Sequence, residues 1–359
     1  MVARRPAYDL VWHGPSDQPD TVKDRALKRQ MRWSGIGEYA RTVATLALTA
    51  PVLAVAFPAA LAGLRPDTRH PRDVLGVAVD PDAAPVADQV ALVRELGVRR
   101  ILVRAPVWRM DRLDDLRRFC DAFDADVLIA ILQDRAAVCD PAEWGRRCQA
   151  IARAFRGRTR DFQIGQAPNR TKWGCAHLGD YYPLAEAAMR MREVGDLTLA
   201  GPAVIDFEPA VAVRGLVNLR RYRFDACASL LYVDRRGAPG NPQYGIFDLR
   251  RKLALQVAIN RISPRLTPEG RRRLWITEFN WPLEGTGEFA PTSPKECVSE
   301  EAAARFLTEY VRMALSTGAV DRLYWWQLVA PGYGLVDSRN GLRRRPAFAA
   351  MAALIAALP

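Results

Sequence analysis

Carboxylate, amide and aromatic residues recur where the short apolar runs of this 359-residue sequence end. Asp80, Arg104, Gln133, Gln166, Asn169, Asp206, Glu208, Tyr232, Asp234, Glu278, Asn280, Trp281 and Gln327 stand at or just past such ends, with Trp325 and Trp326 leading into the last of them. None of these is His or Cys. Such a set suits carbohydrate, because aromatic faces stack on sugar C–H surfaces while amides and carboxylates hydrogen-bond hydroxyls. Metal chemistry has no such support. The chain has three His and six Cys (120, 139, 148, 175, 227 and 297), with no CxxC or His/Cys ligand spacing. The cysteines read as small buried hydrophobes, or as a disulfide or two if the protein is exported. With no phosphate-cradling loop or nucleotide fingerprint, no cofactor is implied.

These residues must be positioned by the apolar runs themselves. The runs are Val74–Val79, Arg100–Val103, Val127–Leu132, Asp161–Gly165, Leu197–Ala200, Ala226–Tyr232, Arg273–Thr277 and Leu323–Gln327. Helical patterns separate most of them: Val90–Leu96, Leu113–Phe123, a helix opening at Asp140–Pro141, Tyr182–Arg192, Ile246–Ile259, Glu300–Leu315 and Pro346–Leu358. In Leu113–Phe123 the apolar spacing is that of one helix face, and Asp140–Pro141 is an N-cap followed by proline at the first helical position. Alternation of this kind argues for βα units and a parallel sheet. Eight units in the span 73–359 match an α/β fold of the (β/α)8 TIM-barrel type. A doubly wound sheet fits less well, since no GxGxxG follows the first run and eight units exceed its usual six strands. Barrel chemistry sits at the C-terminal strand ends, where the residues above fall. Neighbours alternate across a strand, so one of Trp325 and Trp326 points inward and the other packs against helices.

Ahead of the barrel lies an extension of different composition. Residues 1–41 form a basic region, 42–64 an uncharged apolar segment, and 65–72 (RPDTRHPR) a linker by their proline and charge content. The apolar segment is long enough to cross a bilayer, although it contains Pro51 and Pro58. Lys23, Arg25, Lys28, Arg29, Arg32 and Arg41 precede it, against Arg65, Arg69 and Arg72 after it. That asymmetry favours a cytoplasmic N terminus, with the barrel on the periplasmic or outer side of an inner membrane. The alternative is a buried or interfacial helical hairpin broken at proline in a cytoplasmic protein. The formal charge is +12, of which eleven basic and six acidic residues through residue 72 supply +5. A diffuse basic balance suits anionic glycans or lipids, or simply reflects arginine-rich coding. No zinc finger, RNP sequence or Lys/Arg block with interleaved aromatics points to nucleic acid.

Four stretches, in order along the chain, resemble clan A glycoside hydrolases, the retaining superfamily that includes β-xylosidases and cellulases. LWITEFNWP resembles the clan's nucleophile strand, with Thr277-Glu278-Phe279 in place of its Thr-Glu-aromatic. VRAP resembles the strand whose arginine supports the nucleophile, here Arg104. DACASLLY resembles an Asp-x-x-Ser-x-His-x-Tyr strand, matching at Asp225 and Tyr232 but with Leu230 where His is expected. YWWQLVAPGYGLVDSRNGLRRRPAF resembles the clan's eighth strand and its continuation. The resemblance covers about 74–359 and implies that Glu278 is the nucleophile. Without it, a strand-end Glu in an arginine-rich chain reads equally as an ion-pair partner.

One departure matters for function. Where the clan writes Ile-Gly-Asn-Glu-Pro-Asn, with Glu as acid/base, this chain writes Ile164-Gly165-Gln166-Ala167-Pro168-Asn169. Alanine cannot donate a proton, and general acid–base help is worth about 10²–10⁴-fold. Three readings follow. The barrel is a degenerate glycosidase that now binds glycan; or Asp206, Glu208 or Asp234 supplies the proton; or the leaving group, such as a phosphate-linked sugar, needs none. The expectation is a glycosidase or transglycosylase on a cell-envelope polysaccharide or glycolipid glycan. The alternative is an inactive glycan-binding or scaffold protein in polysaccharide biosynthesis. The basic N-terminal region would in a third reading dock an envelope-synthesis partner. Gln166, Asn169, Tyr232, Asp234, Asn280, Trp281, Trp325, Trp326 and Gln327 are expected to bind substrate beside Arg104.

Overall fold

The computed structural model describes residues 8–9, 11–234 and 237–357. It opens with a small antiparallel hairpin, β1 (Trp12–His13) and β2 (Gln18–Pro19). Helices α1 (Arg25–Ser34), α2 (Ile36–Ala62) and the short α3 (Pro71–Val74) lead to the first barrel strand. Strands and helices then alternate: β3 (Leu75–Ala78), α4 (Val86–Leu96), β4 (Arg100–Pro106), α5 (Leu113–Asp121), β5 (Asp126–Leu132), α6 (Arg135–Cys139), α7 (Pro141–Ala154) and β6 (Asp161–Ile164). The second half runs α8 (Leu178–Ala188), β7 (Thr198–Ile205), α9 (Pro209–Leu216), β8 (Ala226–Leu230), α10 (Leu249–Ile262), β9 (Leu274–Phe279), α11 (Glu300–Leu315) and β10 (Arg322–Trp325). A hairpin, β11 (Val336–Asp337) and β12 (Arg343–Arg344), and α12 (Pro346–Ala356) complete the chain. Strands β3 to β10 pair in parallel and close, β10 meeting β3. This is the expected eight-stranded TIM barrel.

Alternation along each strand divides the core in two. On β4, Ile101 and Val103 face the helices, while Leu102 joins Leu128, Ala130, Ala228 and Trp275 inside the barrel. The helices start where side chains satisfy their first N–H groups. Asp140 accepts from Glu143 N at 3.0 Å and Ser299 from Ala302 N at 3.1 Å, each replacing a bond that the first turn lacks. Helix α4 ends at Gly97, whose φ of +78° lets its N–H turn back to Val93.

Two strands carry an extra residue that re-aims side chains. Between Ile276 and Phe279, three residue steps on β9 face two on β10, from Leu323 to Trp325. The slip breaks the alternation, so Glu278 enters the barrel mouth while Phe279 still packs outward. A similar slip on β7 between Pro202 and Val204 carries that strand on to Ile205, beyond the expected Leu197–Ala200. Other boundaries moved by a few residues. The sixth strand stops at Leu230, the eighth at Trp325, and the Tyr182–Arg192 pattern is α8 plus a 3-10 turn over Met189–Glu193. Helices α6 and α9, too short to show a repeating apolar period, had no counterpart in the sequence reading. Leu358, the expected end of the last helix, lies outside the described residues.

The N-terminal extension is attached along its length. Within the expected basic region 1–41, residues 1–7 and 10 lie outside the described residues, and the hairpin β1–β2 sits in the barrel mouth. Helix α2 is continuous through Pro51 and Pro58, so the hairpin broken at proline is corrected; both rings lie on the exposed side. Leu46, Leu53 and Phe57 pack α2 against the barrel helices, Phe57 5.8 Å from Phe247. The 65–72 stretch is no free linker. Arg65 N donates to Thr317 O at 3.2 Å and Asp67 N to Leu315 O at 2.8 Å, which fixes the chain at the far end of the barrel.

Candidate active site

Glu278 is almost fully buried, and both of its oxygens are held. Oε2 accepts from Arg104 Nη2 at 3.0 Å and from Gln166 Nε2 at 2.7 Å, while Oε1 accepts from the Tyr232 hydroxyl. Four strand ends thus converge on one carboxylate. The Gln166 amide is itself aimed: Gln163 Nε2 donates to Gln166 Oε1 at 2.9 Å, which turns the NH2 group toward Glu278. Gln133 braces the same residue, accepting from Gln166 N at 2.8 Å and donating to Gln166 O at 2.8 Å.

Arg104 has further work. Its Nη1 reaches Asp17 O at 3.0 Å and Asp17 Oδ2 at 3.2 Å, and its guanidinium lies 3.4 Å from the centre of the Trp326 ring. Asp17 belongs to the N-terminal hairpin, which crosses the mouth as a strap. Trp12 packs between Trp108 and Trp173, with ring centres 5.8 and 6.1 Å away. Gln18 Nε2 donates to Pro291 O at 3.0 Å, Gln18 Oε1 accepts from Lys172, and Ser16 O accepts from Tyr333 at 3.3 Å. Burial, together with Asp80 and Glu278 nearby, pushes the Asp17 carboxyl well above the usual range despite Arg104. Burial likewise lowers the Lys172 ammonium to about 8, opposed by the Glu278 charge.

The strap parts the mouth into two clefts. One, of about 380 Å³, holds Glu278, Gln166, Tyr232, Asp234 and Lys172. The other, of about 570 Å³, is lined by Trp12, Trp108, Gln327, Asp80 and Arg109. Arg104, Trp326 and Asp17 border both. Each volume falls in the range of about 300–1,000 Å³ typical of small-molecule sites.

The remaining expected site residues divide by contact. Asp206 and Glu208 line the Glu278 cleft, but Arg170 bridges them, with Nη2 2.6 Å from Asp206 Oδ2 and Nη1 2.6 Å from Glu208 Oε1. Burial alone would lower the Arg170 pKa, and the two carboxylates raise it instead. Asn169 acts as a brace, donating to Ile205 O and Glu208 Oε2, each at 2.9 Å. Asn280 donates to Trp326 O at 2.7 Å and shapes the loop beneath the platform. Trp281 and Trp325 do not reach the site. Trp325 faces outward by strand alternation and Trp281 stacks on it at 6.0 Å behind the wall, so the expectation that either touches substrate is corrected. Trp326 is the inward one.

Ala167 is fully buried. Its φ is +43°, its N–H donates to Ala203 O at 3.1 Å, and its side chain packs with Leu132 and Trp173, flanked by Trp12 and Trp108. Sequence reasoning missed the strap residues Trp12, Asp17 and Gln18, as well as Tyr333. The turn signature Gly14-Pro15-Ser16-Asp17 after an aromatic could have marked the hairpin, though not its docking place.

No family model and no curated protein sequence matches this chain. Solved structures do. An endoglucanase aligns with a TM-score of 0.56 at 12% identity, covering 78% of this chain and 97% of its own. The virulence factor SghA, solved with its substrate analogue salicin, gives 0.55 at 11% identity and covers 84% and 98%. Thermotoga maritima Cel5A with mannotriose gives 0.52 at 13%, covering 79% and 98%. The fold is that of the glycoside-hydrolase TIM barrels. At such identity the likeness concerns the fold alone, and the chemistry must be argued from the residues.

Proposed function

We propose that this barrel recognises a cell-envelope glycan, on a polysaccharide or a glycolipid, and keeps a nucleophile at Glu278 without a partner acid. It turns over only glycosides whose leaving group departs unprotonated, and holds other glycans without cleaving them. The observation that carries this reading is the contrast between two positions in one mouth. Glu278 is gripped by Arg104, Gln166 and Tyr232, as a carboxylate that must be oriented for attack would be. Ala167, in the resemblance the acid/base position, carries no titratable group and is enclosed by Leu132 and Trp173. Asp206 and Glu208 do not replace it well, because each is tied to Arg170, at 2.6 Å, rather than turned to Glu278.

In the proposed reaction a Glu278 oxygen attacks the anomeric carbon, the aryloxide or phosphate leaves with the bonding electrons, and water later hydrolyses the glycosyl ester. The test is release from aryl glycosides with good leaving groups by the full-length chain, with and without azide, beside Glu278→Gln. Release that depends on Glu278 and rises with azide is expected. Release unchanged in Glu278→Gln would overturn the nucleophile. A binding-only scaffold is the second reading, favoured by the enclosed Ala167, which leaves cleavage without a proton donor at that position. It predicts glycan binding that survives Glu278→Gln, with no turnover of any aryl glycoside.

A further inference from the structure

Helix α2 is apolar on the side it shows to solvent. Between residues 43 and 62 its exposed positions hold only Ala, Val, Leu and Pro, with Val43 67%, Leu48 80%, Val52 50% and Val55 73% exposed. Apart from the exposed Tyr39 and Arg41 near its start, its polar groups sit on or beside the barrel-facing side. Glu38 is buried against Arg214 at 3.2 Å, and Thr42, Thr45 and Thr49 donate to carbonyls of their own helix at 2.8 Å. A surface helix in water places its polar residues outward, so this face needs a cover. Helix α1, joined to its N-terminal end, exposes Arg25 and Arg29 with Lys28 half-exposed. Trp33 and Tyr39, both more than half exposed, lie where the basic stretch gives way to the uncharged one. Basic charge, interfacial aromatics and an aliphatic face form the pattern of a helix lying on anionic lipid.

We infer that the outward face of α2, with α1 beside it, rests on an anionic membrane surface and that α2 lies along this surface without crossing it. The reason it does not cross is its attachment. Glu38–Arg214 ties its start to α9, Leu46 and Leu53 pack its middle on the barrel's apolar core, Phe57 meets Phe247 ahead of α10, and Arg65 ties its exit to the loop at Thr317. Its 27 residues span about 40 Å beside the barrel. Drawing it through a bilayer would carry the flank of the barrel into hydrocarbon, with the exposed Arg251 and Arg261 of α10. The strap must also stay on the barrel's side of the membrane, because it fills the mouth. A second copy of the chain is a poorer cover, since it would bring another +12 charge to the basic α1. This surface is independent of the glycan site.

The test is flotation of the full-length protein with vesicles of phosphatidylcholine alone or mixed with phosphatidylglycerol. Binding to the mixed vesicles that weakens with salt is expected. Leu48→Asp/Val52→Asp/Val55→Asp should weaken it more than about tenfold, and Arg25→Glu/Lys28→Glu/Arg29→Glu should remove the preference for phosphatidylglycerol. An unchanged unfolding temperature would show that either variant is folded, because the altered side chains point away from the barrel. Equal binding by wild type and the aspartate variant would overturn the inference. So would a stable dimer that buries α2 and ignores vesicles. In spheroplasts, an impermeant thiol reagent should treat Cys139 and Asp9→Cys alike, labelling both or neither. Labelling of one alone would mean that α2 spans.

Discussion

Restoring a carboxyl at Ala167 should fail to restore glycoside cleavage. Ala167→Glu places a carboxyl among Leu132, Trp173 and the neighbouring Trp12 and Trp108, an apolar cluster. An unpaired buried charge costs several kcal/mol, so the group would be held neutral, yet it would be walled off from a departing oxygen, since Ala167 lines neither cleft; the added volume costs about 1–3 kcal/mol in a filled core. The left-handed backbone at φ +43° is no easier for Glu than for Ala. A net loss of about 3–5 kcal/mol is expected, which lowers the unfolding temperature by roughly 4–7 °C at this chain length. Calorimetry of the full-length protein measures the loss, and alkyl glycosides, whose leaving groups require a proton, measure the chemistry. We expect a destabilised protein and no gain in turnover. A gain of about 10²–10⁴-fold with an unchanged unfolding temperature would refute the reasoning. Position 167 would then open onto the substrate, and the tryptophan wall would not exclude an acid.

Tyr232→Phe removes a hydrogen bond to the Glu278 carboxylate and should cut aryl glycoside release by about ten- to a hundredfold, as charged hydrogen bonds are worth about 1.5–3 kcal/mol. Steady-state rates check this. Asp206→Asn and Glu208→Gln, each of which removes one ion pair to Arg170, should leave that release within a factor of a few, because it needs no proton donor; loss in either variant of a measurable turnover of alkyl glycosides would make that residue the missing acid. Because folding raises the Asp17 pKa, the docked strap binds a proton more tightly than the free one. Its docking therefore weakens as pH rises from the usual carboxylate range through the raised value. Amide exchange over residues 12–19, corrected for intrinsic rate, should be slower at pH 5 than at pH 8, and Asp17→Asn should remove the difference. Arg104→Met leaves Glu278 and Asp17 without their shared cation and should destabilise the protein by about 3 kcal/mol, read by chemical denaturation.

The barrel could be read in advance because its signal is repeated: eight apolar runs and their helices are periodic features, and each supports the next. The Glu278 seat was legible only in part: Arg104 was expected to support it, whereas Gln166 and Tyr232 were expected to bind substrate and not to hold Glu278. Arg104, Gln166, Tyr232 and Glu278 all lie at strand ends, and closure of the barrel is enough to bring strand ends together. What failed to show in the sequence depends on contacts with no local period. The tryptophans illustrate this. Alternation demanded that one of Trp325 and Trp326 face inward, but which one depends on the phase set by the β9–β10 register. Trp281 lies past the strand end, where alternation no longer applies. The strap was invisible because its place in the mouth rests on pairings more than 80 residues apart, such as Asp17 with Arg104 and Ser16 with Tyr333.

The strap also changes what an affinity measured for this site would mean. A sugar stacked on the inner face of Trp326 needs the space that the Arg104 guanidinium occupies, and Arg104 is held there partly by Asp17. Glycan and strap therefore draw on the same arginine, and a chain longer than one cleft must cross the line the strap takes between them. Where only a fraction of molecules has the strap displaced, the apparent dissociation constant rises by the inverse of that fraction. A weak glycan affinity in the intact protein would thus describe the strap as much as the site. The Asp17 carboxyl, by linking strap docking to pH, makes that fraction adjustable without any change in Glu278 or its three partners.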